Sequence, residues 1–189
     1  MIAIKHFDDR EEQFKWLAEN HDVLKAQRRA EPKKSDALSF VSFAINDKGE
    51  RLKAEDMEDD NSNPNVLKVR CIINTTNLFD SHSDVHLPGI WKKSLSENKI
   101  HTLCNNHNFT FEGTISDDVK AYTKTYTWKE LGFKYEGETE ALVFDTVINK
   151  EDNEFMFNQY KKGKVKNHSV RMQYIKEYFC MNSDNPEYA

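Results

Sequence analysis

The sequence predicts an α+β protein, a mostly antiparallel β-barrel or sandwich of about six or seven strands with helices at its periphery. Short stretches of alternating apolar and polar residues recur between residues 38 and 174, with turn residues between them. Helical spacing is confined to one long N-terminal segment and two shorter ones. The sequence has no internal repeat, no regular alternation of strands with helices and no glycine-rich phosphate loop, which favours antiparallel over parallel pairing.

The chain length predicts one domain with appendages, because 189 residues are enough to bury a sizeable core. We divide the chain into an N-terminal amphipathic helix with a linker at 1–36, a β domain at 37–176 and a polar tail at 177–189. Residues 53–65 are acidic and almost without apolar side chains, which predicts a mobile loop inside the β domain. The tail stops without a closing element, so we expect a truncated or processed form of a longer protein.

The first element is predicted to be a helix of about five turns that ends near Ala30. Acidic residues precede it where the helix dipole favours them, and a stripe at helical spacing follows. The stripe consists of Phe14, Leu17, Ala18, His21 and Leu24. Such a helix either packs on the main domain or docks to a partner, and the sequence does not decide between the two.

Composition argues against several classes of protein. The formal net charge of −5 leaves no broad basic surface, so nucleic acid is not expected as the main ligand. No apolar run approaches the roughly 18 residues that a membrane-spanning helix needs, and the N-terminus lacks a secretory signal pattern. Cys71, Cys104 and Cys180 are far apart and lack C-x-x-C spacing, which argues against disulfides and a zinc knuckle and predicts a reducing cytoplasm.

Six stretches have the alternation or the apolar content of strands. They are residues 38–46, 66–75, 99–108, 119–128, 141–148 and 164–174. On the fifth of these, Asp145 shares a face with Val143 and Val147, where an unpartnered carboxylate is costly to bury. We therefore expect either that this face is wet or that Asp145 is hydrogen-bonded to a specific partner.

Residues 77–95 form a turn-rich loop that leads into a short helix at 90–97. Within this loop, His82, Asp84 and His86 have the residue types of a metal site. A loop of turns does not fix a coordination geometry, and no further pair of ligands is near in the sequence. We therefore predict no metal and no cofactor.

The helix predicted at 153–162 leads directly into the most polar strand. Asp152 is placed to cap this helix, and Gly163 suits a left-handed C-terminal position. The residues expected to face inward are Phe155, Met156 and Tyr160.

In the strand at 164–174, alternation puts Ser169 on one face with Asn167 and Arg171, and puts His168 on the other. An edge strand with its polar side in solvent fits this pattern, and so does a serine presented to a groove.

His107 ends the strand at 99–108, between Asn106 and Asn108. A histidine at a strand end among polar neighbours is placed to titrate and to transfer protons. Alone, such a histidine is more often an ordinary surface residue.

Several motifs occur in a characteristic order along the chain. D-S-H-S-D-V-H-L-P-G-I-W at 80–91 is followed by N-N-H-N at 105–108, by L-V-F-D at 142–145 and by N-H-S-V at 167–170. This order resembles the prohead (procapsid maturation) serine protease family of tailed phages, whose fold is similar to that of herpesvirus assemblin. The resemblance covers roughly residues 66–174.

The resemblance implies a catalytic arrangement. By similarity, His107 is the general base and Ser169 the nucleophile, and the third member is a carboxylate or a second histidine. Asp145 is the first candidate for the third member, with Glu140 and His168 as alternates. Backbone N–H groups or Arg171 would stabilise the oxyanion.

The resemblance also implies a function. The protein is expected to be an endopeptidase that cleaves scaffold protein, the removable segment of the major capsid protein and itself, inside the immature capsid in the host cytoplasm, and self-association is expected as well. The family reads S-x-G-F after the nucleophile, where this chain reads S-V-R-M, and the family continues with a further strand that this chain lacks. These departures favour the alternative, a catalytically inactive capsid-assembly or scaffold-like protein with a protease fold. A metallohydrolase built on His82, Asp84 and His86 is a more distant alternative.

Overall fold

The computed structural model describes residues 5–30, 33–35, 42–52, 63–80, 84–97, 99–172, 178 and 180–184. It divides into two compact units, Met1–Lys34 with Arg171–Ala189 and Ser35–Val170. The predicted mobile loop at 53–65 and the predicted tail at 177–189 lie largely outside the described residues.

The first unit contains the long helix α1, Arg10–Ala30. The Asp9 carboxylate accepts a hydrogen bond of 3.0 Å from the Glu11 backbone N–H, which satisfies one of the donors left open at a helix start. Arg28 and Arg29 lie in the last turn, where positive charge is favourable. The helix predicted from the sequence is confirmed, and Phe14 is its buried residue.

The second unit is built on a four-stranded antiparallel sheet. Its order is β2 (Ser42–Ala44), β3 (Val66–Thr75), β7 (Glu138–Asn149) and β6 (Val119–Thr127). A smaller antiparallel pair, β4 (Leu103–Cys104) and β5 (Thr114–Ser116), lies beside it. A further two-stranded sheet consists of β1 (Lys33–Ser35) and β8 (Val170–Met172), most of whose residues belong to the first unit.

The α+β class with antiparallel sheets is confirmed. Among the described strands, the four-stranded sheet is open, with β2 and β6 at its edges, and no closed barrel is formed. The described part of the chain has eight strands, and β5 is one that the sequence pattern did not predict. Three residues are too few for an alternation to be visible.

Two short helices accompany the sheet, α2 (Lys92–Ser96) and α3 (Glu154–Lys161). The predicted cap of α3 is wrong: the Asn153 side chain, rather than that of Asp152, accepts the Met156 backbone N–H at 3.0 Å. The predicted inward face is also partly wrong, because Phe157 and Tyr160 are buried whereas Phe155 is 67% exposed. Gly163 ends the helix with a φ of +61°, the left-handed conformation predicted for it.

The two faces of the sheet are covered by different side chains. On the first face, Cys71 of β3 and Phe144 of β7 belong to a core that includes Trp91, Leu103, Ile115, Phe157 and Tyr160. On the second face, Ile72 and Val143 pack with Trp128 and Leu131. Because side chains alternate along a strand, a shift of one residue moves a group from one face to the other.

Cys71, Cys104 and Cys180, all of them described, form no disulfide. Among the described helices, none combines the length and the apolarity that crossing a membrane requires.

Candidate active site

His107 and Ser169 are in direct hydrogen-bond contact, although 62 positions separate them in the sequence. The distance from His107 Nε2 to Ser169 Oγ is 2.6 Å, and both side chains are partly buried. When the imidazole is neutral and carries its proton on Nδ1, the serine hydroxyl donates to Nε2. This is the contact that a general base needs to activate a serine.

His107 lies in a tight turn rather than at the end of a strand. β4 consists of Leu103–Cys104 alone, so the strand predicted at 99–108 is wrong at 99–102 and again at 105–108. In the turn, Asn106 has a φ of +49° and His107 a φ of +56°, and the Asn108 N–H donates to the Asn105 carbonyl at 2.9 Å. Left-handed backbone is uncommon for residues other than glycine, and such strain tends to occur at functional sites.

The turn is held by the β4–β5 hairpin. The Asn105 N–H donates to the Gly113 carbonyl at 2.7 Å, which closes the loop that contains His107. Leu103 and Ile115, one from each strand of the hairpin, are buried in the core of the first face. The hairpin that carries the imidazole is therefore anchored on that side of the sheet.

Ser169 lies immediately before β8. The strand predicted at 164–174 is correct only for 170–172, because residues 164–169 have no regular structure and 173–174 lie outside the described residues. The neighbouring His168 is buried, and its Nε2 is 3.1 Å from the Tyr160 hydroxyl on α3. Ser169 and His168 thus have different surroundings, although neither of them lies in a strand.

Tyr160 also contacts the central strand, through a hydrogen bond with the Cys71 thiol. Burial raises the pKa of Cys71 to about 12 and raises that of Tyr160 well above its ordinary value. Both groups are therefore protonated near neutral pH. Cys71 is therefore not an activated nucleophile.

Asp145 is not the partner of His107, which corrects the first candidate for the third member. Its Oδ1 accepts from Arg70 Nε at 2.6 Å, and its Oδ2 accepts from Arg70 Nη2 at 2.7 Å. Tyr122 Oη also donates to Oδ2, at 3.2 Å. Asp145 lies on the second face of the sheet with Val143, whereas the hairpin that carries His107 packs on the first.

Arg70 and Asp145 have the electrostatics of a structural ion pair. The hydrogen bond to the Asp145 carboxylate raises the pKa of Arg70, and burial raises that of Tyr122 to about 12. The expectation of a specific hydrogen-bond partner for Asp145 is confirmed. That partner is Arg70, which sequence reasoning did not identify.

The two alternates for the third member have other partners as well. Glu140 Oε1 accepts the Gly89 N–H at 2.8 Å and thereby holds the Pro88-Gly89 turn of the D-S-H-S-D loop against β7. His168 faces Tyr160 through its Nε2. The structure therefore unites the predicted base and nucleophile and places all three predicted third members in other hydrogen bonds.

Arg171, the predicted oxyanion residue, is an exposed residue of the first unit. Its role at the oxyanion stays a prediction.

The predicted metal candidates are only partly described. His82 lies outside the described residues, and His86 is buried, with its Nδ1 3.2 Å from Asn74 Oδ1 and its ring edge-on to Trp91. Asp84 donates its backbone N–H to Asp80 Oδ1 at 2.9 Å. Within the described ranges, no cluster of three or more His, Cys, Asp or Glu side chains could hold a metal ion.

Comparison of the chain with protein-family models, with curated proteins and with solved structures finds no significant match. The function must therefore be inferred from the residues themselves, above all from the contact between His107 and Ser169.

Proposed function

We propose that this chain is a phage prohead maturation serine endopeptidase. In this proposal it cleaves scaffold protein, the removable segment of the major capsid protein and itself during capsid assembly, inside the immature prohead in the host cytoplasm. In this proposal the mostly antiparallel β domain has a fold of the herpesvirus assemblin type, and the protein self-associates.

The observation that carries the proposal is the 2.6 Å contact between His107 Nε2 and Ser169 Oγ. The family resemblance assigns the roles of base and nucleophile to these same two residues. A chance pairing of a serine with a histidine over 62 positions, both within family-like motifs, would be an improbable coincidence. The left-handed backbone at His107 adds a second indication, because such strain is costly unless the position is used.

The chemistry follows from this contact. His107 takes the hydroxyl proton as Ser169 Oγ attacks the carbonyl carbon of the scissile peptide bond, and a tetrahedral oxyanion forms. The protonated imidazole returns the proton to the leaving amine, and an acyl ester remains on Ser169. Water, deprotonated by the same imidazole, then attacks the ester and releases the second product and the free serine.

Two substitutions test the proposal directly. Ser169→Ala and His107→Ala should each abolish self-processing and cleavage of co-expressed capsid protein. Ser96→Ala is the matched control, because Ser96 is an exposed serine whose hydroxyl donates to the Lys93 carbonyl. Undiminished cleavage by the Ser169→Ala variant would remove serine catalysis from consideration.

A second candidate is a catalytically inactive capsid-assembly protein that keeps the protease fold. The replacement of the family's glycine by Arg171 in the S-V-R-M segment favours it, because this segment follows the nucleophile. A fluorophosphonate probe separates the two candidates. If the chain is a protease, the probe should label Ser169, and the His107→Ala variant should lose this labelling. If the chain is inactive, Ser169 should not be labelled.

A further inference from the structure

In the described residues of the hairpin, 79–80 and 84–87, the apolar side chains lie outside and the side chains of Asp80 and His86 lie inside. Asp80 and His86 are buried, with 8% and 5% of their surfaces exposed. Their neighbours Phe79, Val85 and Leu87 are 72%, 39% and 65% exposed. This is the reverse of the pattern that burial of apolar surface produces in a strand that faces water.

Backbone hydrogen bonds join the two described arms of the hairpin, 77–80 and 84–87. Phe79 and Val85 form an antiparallel bridge, so their side chains lie on the same side of the hairpin. The Asn77 N–H donates to the His86 carbonyl at 2.8 Å, and the Asp80 N–H donates to the Asp84 carbonyl at 2.9 Å. Leu87, two residues after Val85, continues the same face.

The buried polar side chains prevent the hairpin from turning over. His86 Nδ1 is 3.2 Å from Asn74 Oδ1, and its ring packs edge-on against the buried Trp91. Turning the apolar side inward would bring Asp80 and His86 into water and break these contacts. The exposed apolar face is therefore a fixed property of the fold.

The apolar face continues toward two cationic residues. Ile90 is 45% exposed, and its N–H donates to the Leu87 carbonyl at 3.2 Å, so it adjoins the face. Lys92 and Lys93 follow directly and are exposed. Contiguous exposed apolar surface with a polar rim is typical of protein interaction sites, and the positive rim is complementary to a partner with carboxylates beside its apolar residues.

We propose that the surface formed by Phe79, Val85, Leu87 and Ile90 docks an apolar segment, flanked by acidic residues, of the scaffold protein. This proposal depends on the function proposed above, because it assigns a partner within the same assembly. Docking here recruits the chain to the growing prohead by contacts separate from the cleavage of the substrate.

The test measures binding of the purified chain to the purified scaffold protein of the same virus. The double variant Phe79→Ser/Leu87→Ser should weaken binding by about tenfold or more, as loss of apolar anchors does. Lys92→Gln/Lys93→Gln should weaken it less and reduce its dependence on salt. Phe155→Ser is the matched control, since Phe155 is equally exposed on α3, and it should bind as the unaltered chain does.

Fluorophosphonate labelling of Ser169 is read in parallel in every variant. If the double variant binds scaffold protein more weakly and Ser169 is still labelled, the proposal is supported. If the double variant does not fold, the single variant Leu87→Ser is measured in the same way. Unchanged scaffold binding overturns the proposal, as does a self-association that the double variant breaks without changing scaffold binding. Absence of labelling in all variants contradicts the proposed protease function and leaves the binding result to be judged separately.

Discussion

Arg70 and Asp145 are directly opposite each other on β3 and β7 and form a forked ion pair, with N–O distances of 2.6 and 2.7 Å. Both oxygens of the carboxylate are engaged by one guanidinium, and both side chains are largely buried. Pairs of this geometry are stronger than ordinary hydrogen bonds and fix the register of the two strands. Asp145 thus stabilises the sheet that supports the site.

Replacement of Asp145 by Asn should lower the free energy of unfolding by about 1–3 kcal/mol, because Arg70 loses a charged partner in a largely buried position. Labelling of Ser169 by a fluorophosphonate should persist in the folded variant. Asp47→Asn is the control: Asp47 pairs with Lys68 at the surface, and its replacement should not change stability measurably. If the Asp145→Asn variant folds but Ser169 is not labelled, Asp145 would again be a candidate catalytic residue.

The positive φ of Asn106 predicts which side chains this position tolerates. Asn106→Gly should leave stability nearly unchanged, because glycine adopts a positive φ without strain. Asn106→Val should cost about 1–2 kcal/mol, since a β-branched side chain is strained there, and it should slow labelling of Ser169 because the turn positions His107. Urea denaturation and labelling rates measure the two effects. Equal stability of the glycine and valine variants would argue against the left-handed turn.

Removal of the Tyr160 hydroxyl should affect both stability and reaction. Tyr160→Phe leaves buried His168 Nε2 without the hydroxyl and should cost about 1–3 kcal/mol. Because His168 adjoins Ser169, we also expect slower labelling of the serine. Tyr135→Phe, at a position that is 54% exposed, is the control and should change neither quantity. Wild-type stability in the Tyr160→Phe variant would show that the hydroxyl contact is not formed in solution.

The buried thiol of Cys71 predicts a loss of stability at alkaline pH. Burial raises its pKa from 9.0 to about 12, so the folded protein holds this proton more tightly than the unfolded chain does. The resulting stabilisation is complete below pH 9 and is lost as the pH rises toward 12. The free energy of unfolding should therefore fall between pH 9 and 11, and it should fall less steeply in the Cys71→Val variant.

The Cys71→Val variant also loses the hydrogen bond to Tyr160, which lowers the free energy of unfolding at every pH. The effect of the thiol proton is therefore read from the slope of the free energy of unfolding against pH, and not from its absolute value. The buried Tyr160 and partly buried Tyr122 also have raised pKa values, so a residual slope should remain in the valine variant. Cys180→Val serves as the control, since this thiol is exposed and its replacement should leave the slope unaltered. A slope that Cys71→Val does not change would contradict the role of the thiol.

The long elements could be predicted from local patterns. β3 coincides with the predicted strand, and α1 ends at the predicted residue, because alternation or helical spacing over nine or more residues is a strong signal. The short elements could not be predicted in this way. β4 has two residues and β5 three, and the left-handed turn at Asn106 and His107 interrupts a run that reads as one strand.

The partner of Asp145 was missed although a signal existed. Asp145 is the one charged residue of the predicted strand at 141–148, and the predicted strand at 66–75 contains two residues of the opposite sign, Lys68 and Arg70. Antiparallel pairing of those strands would have suggested that the charges meet. Asp145 has the same parity along β7 as Val143, so it lies on the face opposite to the one on which the His107 hairpin packs.

The sequence by itself determined the antiparallel α+β class, the long helix and strands, and the identities of a candidate base and nucleophile. Only the tertiary structure decided that His107 meets Ser169, that Asp145 belongs to Arg70 and that the 79–87 hairpin turns its apolar side outward. The reason is physical. Local patterns report which surfaces are apolar, whereas the distance between two remote side chains and the face that each presents depend on strand register and on packing between elements.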